Sequence, residues 1–528
     1  MKINIKQILM IVLLFLFIII GIFIYDDYGI STDEPQERKT TLVNAKYIMN
    51  TFGYDGLTEM DDNLLEYRDR YYGVFMQLPC VLFEWLTGFE DSPAIYLYRH
   101  LYVFMICTFG YICFFLLCFR LTKSYSLSLL GSAMVALYPR FFANQFYDIK
   151  DMVFASMYMV SMWATVEAIH SKLKVRWLVV FSVLAAMATN VRIVGIIFPV
   201  FFIGYIILTW IINKCGIEIQ DKYGHPFRSI FVISIAYLGS YIAMLPMLWK
   251  NPISGIFEIF EKFSQYDDWN GYVVFMGQFV RGSEVPWYYV PVWLLVSVPI
   301  WYWILLLFVV ALFGYAFYKW IKGHKRISWS CLFEYKYLIW MFFLALGPWL
   351  ATVIFHSTLY NAWRHCFFLL PPIVLMIIYG LALIKKKIGI GKITKEILTG
   401  IVIIGLASQS IWMIKNHPYQ MVYLNEVGRI WGDQFDRDYW CLATTDMCRY
   451  VLENDSSEKI SVNAPFNNFE RLLNKEEKNR IVVEEDPTYW LESYRKVKGN
   501  EYVREGYTEI YYITVDGYKI GSVQKKIE

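Results

Sequence analysis

The chain has 528 residues, of which 57% are hydrophobic and 18% are charged, and its formal net charge is +3. Soluble domains carry about 25% charged residues, so this composition is not that of an ordinary soluble protein. A net charge this small also argues against a nucleic-acid partner. The apolar residues are concentrated in runs of about 18 to 25 residues, the length that crosses a hydrocarbon core of roughly 30 Å as a helix.

The first apolar run extends from Ile8 to Tyr25 and follows Lys2 and Lys6. A cleaved signal peptide is one interpretation of such a segment. However, a signal peptide ends at a small-residue cleavage site, and here the next residues are Asp26 and Asp27. We therefore interpret the run as an uncleaved first transmembrane helix.

Further apolar runs predict about eleven transmembrane helices in total. They are centred near residues 97–119, 126–139, 152–169, 177–189, 193–212, 229–248, 290–318, 337–355, 365–384 and 397–414. The pair 177–189 and 193–212 allows two interpretations, because the two runs are broken only at residues 189–192. If they formed one bent helix, every later segment would change sides of the membrane.

Lysine and arginine in the short loops set the orientation, since cytoplasmic loops are enriched in them. A cytoplasmic N-terminus makes the loops after alternate helices cytoplasmic, and those loops carry the cations. They are Arg120, Lys123, Lys172, Lys174, Arg176, Lys214, Lys222, Arg228, Lys319, Lys322, Lys325, Arg326, Lys385, Lys386, Lys387, Lys392 and Lys395. The cationic loops after residue 212 argue against one bent helix. The extracytoplasmic segments are then 26–95, 249–290 and the tail from residue 415.

The tail, residues 415–528, is mostly polar and long enough for a small domain. Residues 459–464 and 480–484 have the composition of short strands, and residues 444–453 and 465–475 that of helices. Asp516-Gly517 between two further strand-like segments is a strong hairpin signal. The predicted fold class is an all-α polytopic membrane bundle over residues 1–414, followed by an extracytoplasmic α/β domain over 415–528.

Two adjacent acids, Asp33 and Glu34, follow directly after the first helix, at the predicted membrane boundary. One interpretation is structural: Ser31, Thr32 or Asp33 caps a helix with Pro35 in its first turn. The other is a general base placed where a lipid head group would lie. Carboxyl groups half-withdrawn from water are better proton acceptors than fully solvated ones.

A second polar cluster follows the third predicted helix and contains Arg140, Asp148, Lys150 and Asp151 among aromatic residues. An interfacial anchor of cations and aromatics is the structural interpretation. However, Asp148 and Asp151 are three residues apart and share a face if the fourth helix begins here. Charged side chains rarely face lipid, so we expect this face to point into the bundle.

Further polar residues lie at the same predicted depth, namely Asn190, Arg192, Arg281, Arg364 and His365. The planar guanidinium of arginine binds two phosphate oxygens at once. A cationic pocket beside carboxylates at the outer leaflet suits a lipid-linked phosphate or pyrophosphate.

These motifs resemble the GT-C glycosyltransferases, and more narrowly glycosyltransferase family 39, the protein O-mannosyltransferase and aminoarabinose-lipid A transferase group. The resemblance touches most of the membrane part and rests chiefly on the acid pair after the first helix. The matching stretches are residues 29–38, 139–154, 188–199, 287–299, 364–372, 417–420, 423–425 and 438–440. The motifs are short, and the HYxR-like pattern of some members has only a loose echo in Tyr98-Arg99-His100.

The resemblance implies transfer of a sugar from a polyprenyl-phosphate carrier to a protein, lipid or cell-envelope glycan outside a prokaryotic cell membrane, usually with inversion. It implies that Asp33 is the general base and that Glu34 supports it or contacts the acceptor. Lys150, Arg192 or Arg364 would stabilise the leaving phosphate. Arg140, Asp148, Asp151 and His365 complete the predicted substrate site. No cofactor is predicted; some GT-C enzymes use a divalent ion, although family 39 members generally do not.

A lipid or glycan flippase or transporter without transferase activity is the main alternative. Transporters place polar residues near the bilayer midplane and often contain repeated halves. Here the charges crowd at one face and no repeat is evident. A non-catalytic assembly protein that binds through its tail also remains open, but it does not explain why Asp33-Glu34 lies beside Asp148 and Asp151.

Overall fold

The computed structural model describes residues 5–527 except 55–62, 90, 220, 265–268 and 323–328. Lys325 and Arg326, two of the cations used to predict the orientation, lie outside these described residues, as does Lys2. The described helices are α1 Ile5–Ile24, α2 Glu34–Thr51, α3 Leu78–Thr87, α4 Ser92–Thr122, α5 Tyr125–Ala136, α6 Pro139–Tyr147, α7 Asp151–His170, α8 Val175–Val191, α9 Ile197–Lys214, α10 Pro226–Met244, α11 Pro252–Ser264, α12 Tyr289–Ser297, α13 Ile300–Lys322, α14 Trp329–Glu334, α15 Lys336–Ile354, α16 Leu370–Lys387, α17 Lys392–Lys415, α18 Ala443–Asn454 and α19 Lys475–Arg480.

The described part of the chain contains nine helices long and apolar enough to cross a membrane. The bent pair α5 and α6 can form a tenth span, and α8 is a shorter apolar helix of 17 residues. Every predicted apolar run falls on one of these helices or, for 290–318, on α12 and α13 together. The prediction of a polytopic helical membrane protein is confirmed.

The weakest point of the predicted topology was the break at residues 189–192. The structure has two helices there: α8 ends at Val191, and α9 begins at Ile197 after a 3₁₀ turn. Two ion pairs connect helix ends that are predicted to be cytoplasmic. Arg120 pairs with Glu167, and both residues precede the break. Lys336 pairs with Asp221, and both residues follow it.

His170 at the end of α7 stacks on Tyr337 at the start of α15, with ring centroids 6.0 Å apart. Helix ends that precede the break and helix ends that follow it therefore lie at the same end of the bundle. One bent helix in place of α8 and α9 would have separated them, so that alternative is wrong.

A bend of 63° separates α5 from α6. Pro139 occupies the first turn of α6, and all nine residues of this helix are buried. The sequence placed Arg140 in a boundary loop, whereas the structure places it on this buried helix. Buried helix α6 brings Tyr147 and Asp148 to the start of α7, where the charged residues collect.

The strands are β1 Tyr272–Phe275, β2 Gln278–Arg281, β3 Ile460–Asn463, β4 Ile481–Val483, β5 Tyr489–Ser493, β6 Tyr507–Val515 and β7 Tyr518–Lys526. β1 and β2 form a hairpin, and the other five form one sheet in the order β4-β3-β5-β7-β6. β3 is parallel to β4 and β5, whereas β7 is antiparallel to β5 and β6. Helix α18 packs against β5 and β7.

The predicted α/β tail is confirmed, including the hairpin at Asp516-Gly517, where both residues have the positive φ that such turns require. The predicted helix over 465–475 is wrong. Only one 3₁₀ turn, Asn468–Arg471, forms there, and α19 begins at Lys475. Asn474 and Glu477 form a capping box that starts the helix at this point.

Candidate active site

Two carboxylates and two guanidinium groups from four distant segments meet at one end of the bundle. Arg364 donates through Nη1 to Asp33 Oδ2 at 2.8 Å and to Asp151 Oδ2 at 3.0 Å. The other oxygen of Asp151 pairs with the guanidinium of Arg192. Asp33 and Asp151 therefore lie on the same side of the bilayer and share one cluster.

Asp33 stands at the N-cap position of α2 but makes no side-chain cap hydrogen bond. Glu34 instead bonds back to the chain, because its Oε2 accepts from the backbone N–H of Ser31 at 2.6 Å. The Asp33 carboxylate is consequently directed to Arg364 rather than to the helix. Its side chain is 40% exposed, whereas that of Arg364 is only 2% exposed.

Glu34 is buried and has a different environment from Asp33. Its Oε1 lies 2.9 Å from Nε2 of His100 on α4. Both oxygens of Glu34 are thus engaged with groups inside the protein. This carboxylate fixes the start of α2 against α4. Of the two acids, Asp33 is therefore the one whose side chain is exposed.

A second acid–cation pair adjoins the first cluster. Lys150 Nζ lies 2.7 Å from Glu37 Oε1, and Gln77 donates to Glu37 Oε2 at 2.9 Å. The Lys150 ammonium also lies 3.7 Å from the ring centroid of Tyr72, within cation–π range. The Lys150 side chain remains 15% exposed, so the ammonium keeps access to the space outside the protein.

Asp148 and Asp151 are both buried, as predicted, but they have different partners. Asp148 Oδ1 accepts from the backbone N–H of Asp151 at 2.8 Å and so caps the start of α7. Its Oδ2 has no hydrogen-bond partner among the described residues. Burial first, and then the charge of Asp151, raise the pKa of the Asp148 carboxyl well above its ordinary value, while Arg364 opposes this rise.

Arg140 and His365 lie beside the cluster rather than in it. Arg140 donates through Nε to the carbonyl of Tyr423 at 2.9 Å and lies over the ring of Trp293, and no described ion pair includes it. His365 packs edge-on against Tyr360, with ring centroids 4.5 Å apart. The structure therefore brings together Asp33, Asp151, Arg192 and Arg364 most directly, with Lys150 and Asp148 adjoining them.

The segment that precedes the C-terminal sheet covers this cluster. The guanidinium carbon of Arg364 lies 4.4 Å from the ring centroid of Trp440, and Trp440 donates to Asn144 on α6 at 2.9 Å. Asp436 holds the same segment in place, accepting from the backbone N–H of Val274 at 2.7 Å. Burial raises the pKa of Asp436 to about 6.

Sequence reasoning missed three residues that build the site. Glu37 lies four positions after Asp33 on α2, a helical spacing that could have revealed it. The sequence includes His100 only in the loose motif echo at residues 98–100. Trp440 lies in one of the stretches that carry the resemblance, but nothing in the sequence places it against Arg364. Among the described residues, no group of three or more His, Cys, Asp or Glu could hold a metal ion.

No family model matches this chain, and no curated protein matches it in sequence. Among solved structures it is similar to ArnT from Cupriavidus metallidurans bound to undecaprenyl phosphate. That likeness has a TM-score of 0.42 and 10% identity, and it covers 96% of this chain and 97% of that one. It is also similar to the oligosaccharyltransferase of Archaeoglobus fulgidus in the apo form, with a TM-score of 0.44 and 8% identity, covering 89% of this chain and 64% of that one.

At these TM-scores and identities neither likeness assigns an activity to this chain. The chemistry proposed below is therefore derived from the contacts of its own residues.

Proposed function

We propose that this protein is an inverting membrane glycosyltransferase. It takes a sugar from a polyprenyl-phosphate donor and passes it to a hydroxyl group of a protein, lipid or cell-envelope glycan. The observation that carries the proposal is the partly exposed carboxylate of Asp33, held by the buried guanidinium of Arg364 beside Arg192 and Lys150. A general base and phosphate-binding cations at one membrane boundary are what this reaction needs.

Asp33 has the position of a general base toward the acceptor. Arg364 fixes its Oδ2, and no hydrogen bond or ion pair between described residues uses its Oδ1. A carboxylate is the form of this side chain that accepts a proton. In the proposed step Asp33 takes the acceptor's hydroxyl proton while the acceptor oxygen attacks the anomeric carbon. Such general-base assistance contributes roughly 10²–10⁴ in rate.

The bond between the anomeric carbon and the phosphate oxygen breaks on the opposite side of the sugar, and this inverts the configuration. Lys150 and Arg192 suit the departing phosphate, because their side chains are 15% and 21% exposed. Each is paired with an acid on one side and has further N–H donors. Fixed cations in a site that excludes water stabilise such a developing charge by several kcal/mol.

The cationic loops at the other end of the bundle favour a cytoplasmic location for that end. On this basis we propose that the site is extracytoplasmic and the N-terminus cytoplasmic. The family resemblance favours the cell membrane of a prokaryote. We further propose the division into a transmembrane transferase module over residues 1–414 and an extracytoplasmic domain over 415–528. The domain contributes Trp440 to the wall of the site.

The test is a transfer assay with the purified protein in lipid nanodiscs. Radiolabelled undecaprenyl-phosphate hexoses and pentoses serve as donors, and cell-envelope extract serves as the acceptor. We expect Asp33→Asn to lower the transfer rate at least 100-fold without changing the Tm by more than a few degrees. Asp27→Asn is the matched control, since Asp27 is a 47% exposed acid near the same boundary that pairs with His417.

Transfer at the wild-type rate by Asp33→Asn would remove the base assignment. Absence of transfer from every donor by the wild-type protein would remove the transferase proposal itself.

A further inference from the structure

A cavity of about 110 Å³ opens at the end of the bundle opposite Asp33. It lies where the turn between α7 and α8 meets the start of α10. Lys172, His225 and Arg228 line it together with apolar residues that include Val175 and Val232. None of these residues takes part in the chemistry proposed above.

The described residues do not balance the positive charge of this cavity. Among the described residues, no ion pair includes Lys172 or Arg228, and both side chains are exposed. The nearby acid Asp221 is already bound to Lys336 and accepts a hydrogen bond from Tyr205. An anion entering the cavity would therefore meet two uncompensated cations.

The local fold adds to this preference for an anion. Both α8 and α10 begin at the cavity, and the first turn of a helix carries partial positive charge on its free N–H groups. The turn that bears Lys172 has an unusual backbone: Lys172 and Leu173 have φ of 57° and 60°. Residues with side chains rarely adopt this left-handed conformation. Burial of Leu173 in the core anchors the turn and holds Lys172 beside the cavity.

The apolar wall of the cavity continues along the outside of the bundle. Beyond Val175 on α8 lies Val179, which is 40% exposed, and beyond Val232 on α10 lies Ile235, which is 59% exposed. Phe231 on α10 is 64% exposed. A free phosphate ion would gain nothing from this surface, whereas the acyl chains of a lipid would cover it.

We propose that this cavity, formed by Lys172, His225, Arg228, Val175 and Val232, binds the phosphate head group of an anionic phospholipid. The acyl chains lie on the exposed faces of α8 and α10. Basic pockets between transmembrane helices are suited to such head groups. The inference does not depend on the transferase proposal, because the cavity and Asp33 lie at opposite ends of the bundle.

The experiment measures lipid binding to the full-length, delipidated protein in detergent by native mass spectrometry. The probes are phosphatidylglycerol, phosphatidylcholine with matched chains, and inorganic phosphate as a competitor. The double variant Lys172→Gln/Arg228→Gln removes two cations from the cavity. Its matched control, Lys385→Gln/Lys386→Gln, removes two exposed cations from the end of α16 at the same end of the bundle.

We expect one phosphatidylglycerol to bind the wild type and the control variant tightly, and the cavity variant about tenfold or more weakly. Val232→Trp keeps the cations but fills the cavity, so it should also weaken binding, and the thermal unfolding of each variant verifies its fold. Equal affinity for the two head groups would overturn the proposal. So would displacement by millimolar phosphate, or equal losses in the cavity and control variants.

Discussion

Asp151 links the buried guanidinium of Arg364 to the partly exposed guanidinium of Arg192, so its substitution tests the cluster most sharply. Its side chain is 1% exposed, that of Arg364 is 2% exposed and that of Arg192 is 21% exposed. Removing one partner of a buried ion pair costs about 3–5 kcal/mol, because the remaining charge is left uncompensated. Arg364 keeps Asp33 as a partner, so we expect Asp151→Asn to lose about 3 kcal/mol.

Asp148→Asn is the matched control, three residues away on the same segment. The amide oxygen can still accept from the backbone N–H of Asp151. Burial raises the pKa of Asp148 well above its ordinary value, so the folded state favours the neutral form. The ionisation penalty grows as the pH rises above that value. Replacement by a neutral amide removes this penalty, and we expect less than about 1 kcal/mol of destabilisation at neutral pH.

Thermal unfolding of the purified proteins in detergent, followed by tryptophan fluorescence, measures the difference. With an unfolding entropy of about 2 cal/mol/K per residue, a loss of about 3 kcal/mol lowers the Tm by roughly 3 °C. A Tm for Asp151→Asn equal to that of the wild type, or above that of Asp148→Asn, would refute the reasoning about this ion-pair cluster.

Two further substitutions test how the C-terminal segment is held on the site. A Cβ at Gly29 would lie 2.4 Å from the carbonyl oxygen of Leu442, so Gly29→Ala should cost about 1–3 kcal/mol. A Cβ at Gly239 would have no neighbour within 4 Å, so Gly239→Ala should be neutral or slightly stabilising. Burial raises the pKa of Asp436 to about 6, so the wild type loses stability as the pH rises from about 4 to 6. Asp436→Asn cannot ionise, so the Tm of this variant minus the Tm of the wild type should increase between pH 4 and pH 6. The increase corresponds to at most about 3 kcal/mol in the free energy of unfolding.

Each of these two substitutions has a clear contrary result in the same unfolding assay. Gly29→Ala with the Tm of Gly239→Ala would show that the tail does not pack closely on the loop after α1. A constant Tm difference between Asp436→Asn and the wild type from pH 4 to pH 7 would show that the pKa of this carboxyl is not raised in the folded protein.

The positions of the membrane helices could be predicted from hydropathy, because each helix depends on the local composition of the chain. A run of apolar residues long enough to cross the bilayer is sufficient to predict a helix there. The hairpin at Asp516-Gly517 was predictable for a similar reason, since two adjacent residues specify the turn. The 63° bend between α5 and α6 could not be predicted from the sequence, because it depends on how α6 packs in the bundle.

The site was predictable as a list of residues but not as a set of contacts. Asp33 and Arg364 are 331 positions apart, and no local pattern pairs them. In the sequence Asp33 and Glu34 form one motif. In the structure Glu34 is bonded to His100, whereas Asp33 is partly exposed and pairs with Arg364. Strand β5 was missed because its pairing with β3 and β7 comes from distant segments.

The most direct test of the proposed chemistry is an experimental structure of this protein with polyprenyl phosphate bound. The proposal predicts the phosphate within about 3 Å of Lys150 Nζ or the Arg192 guanidinium, on the side of the cluster where Asp33 is exposed. Polyprenyl phosphate bound only at the opposite end of the bundle, or beyond the reach of both cations, would contradict it.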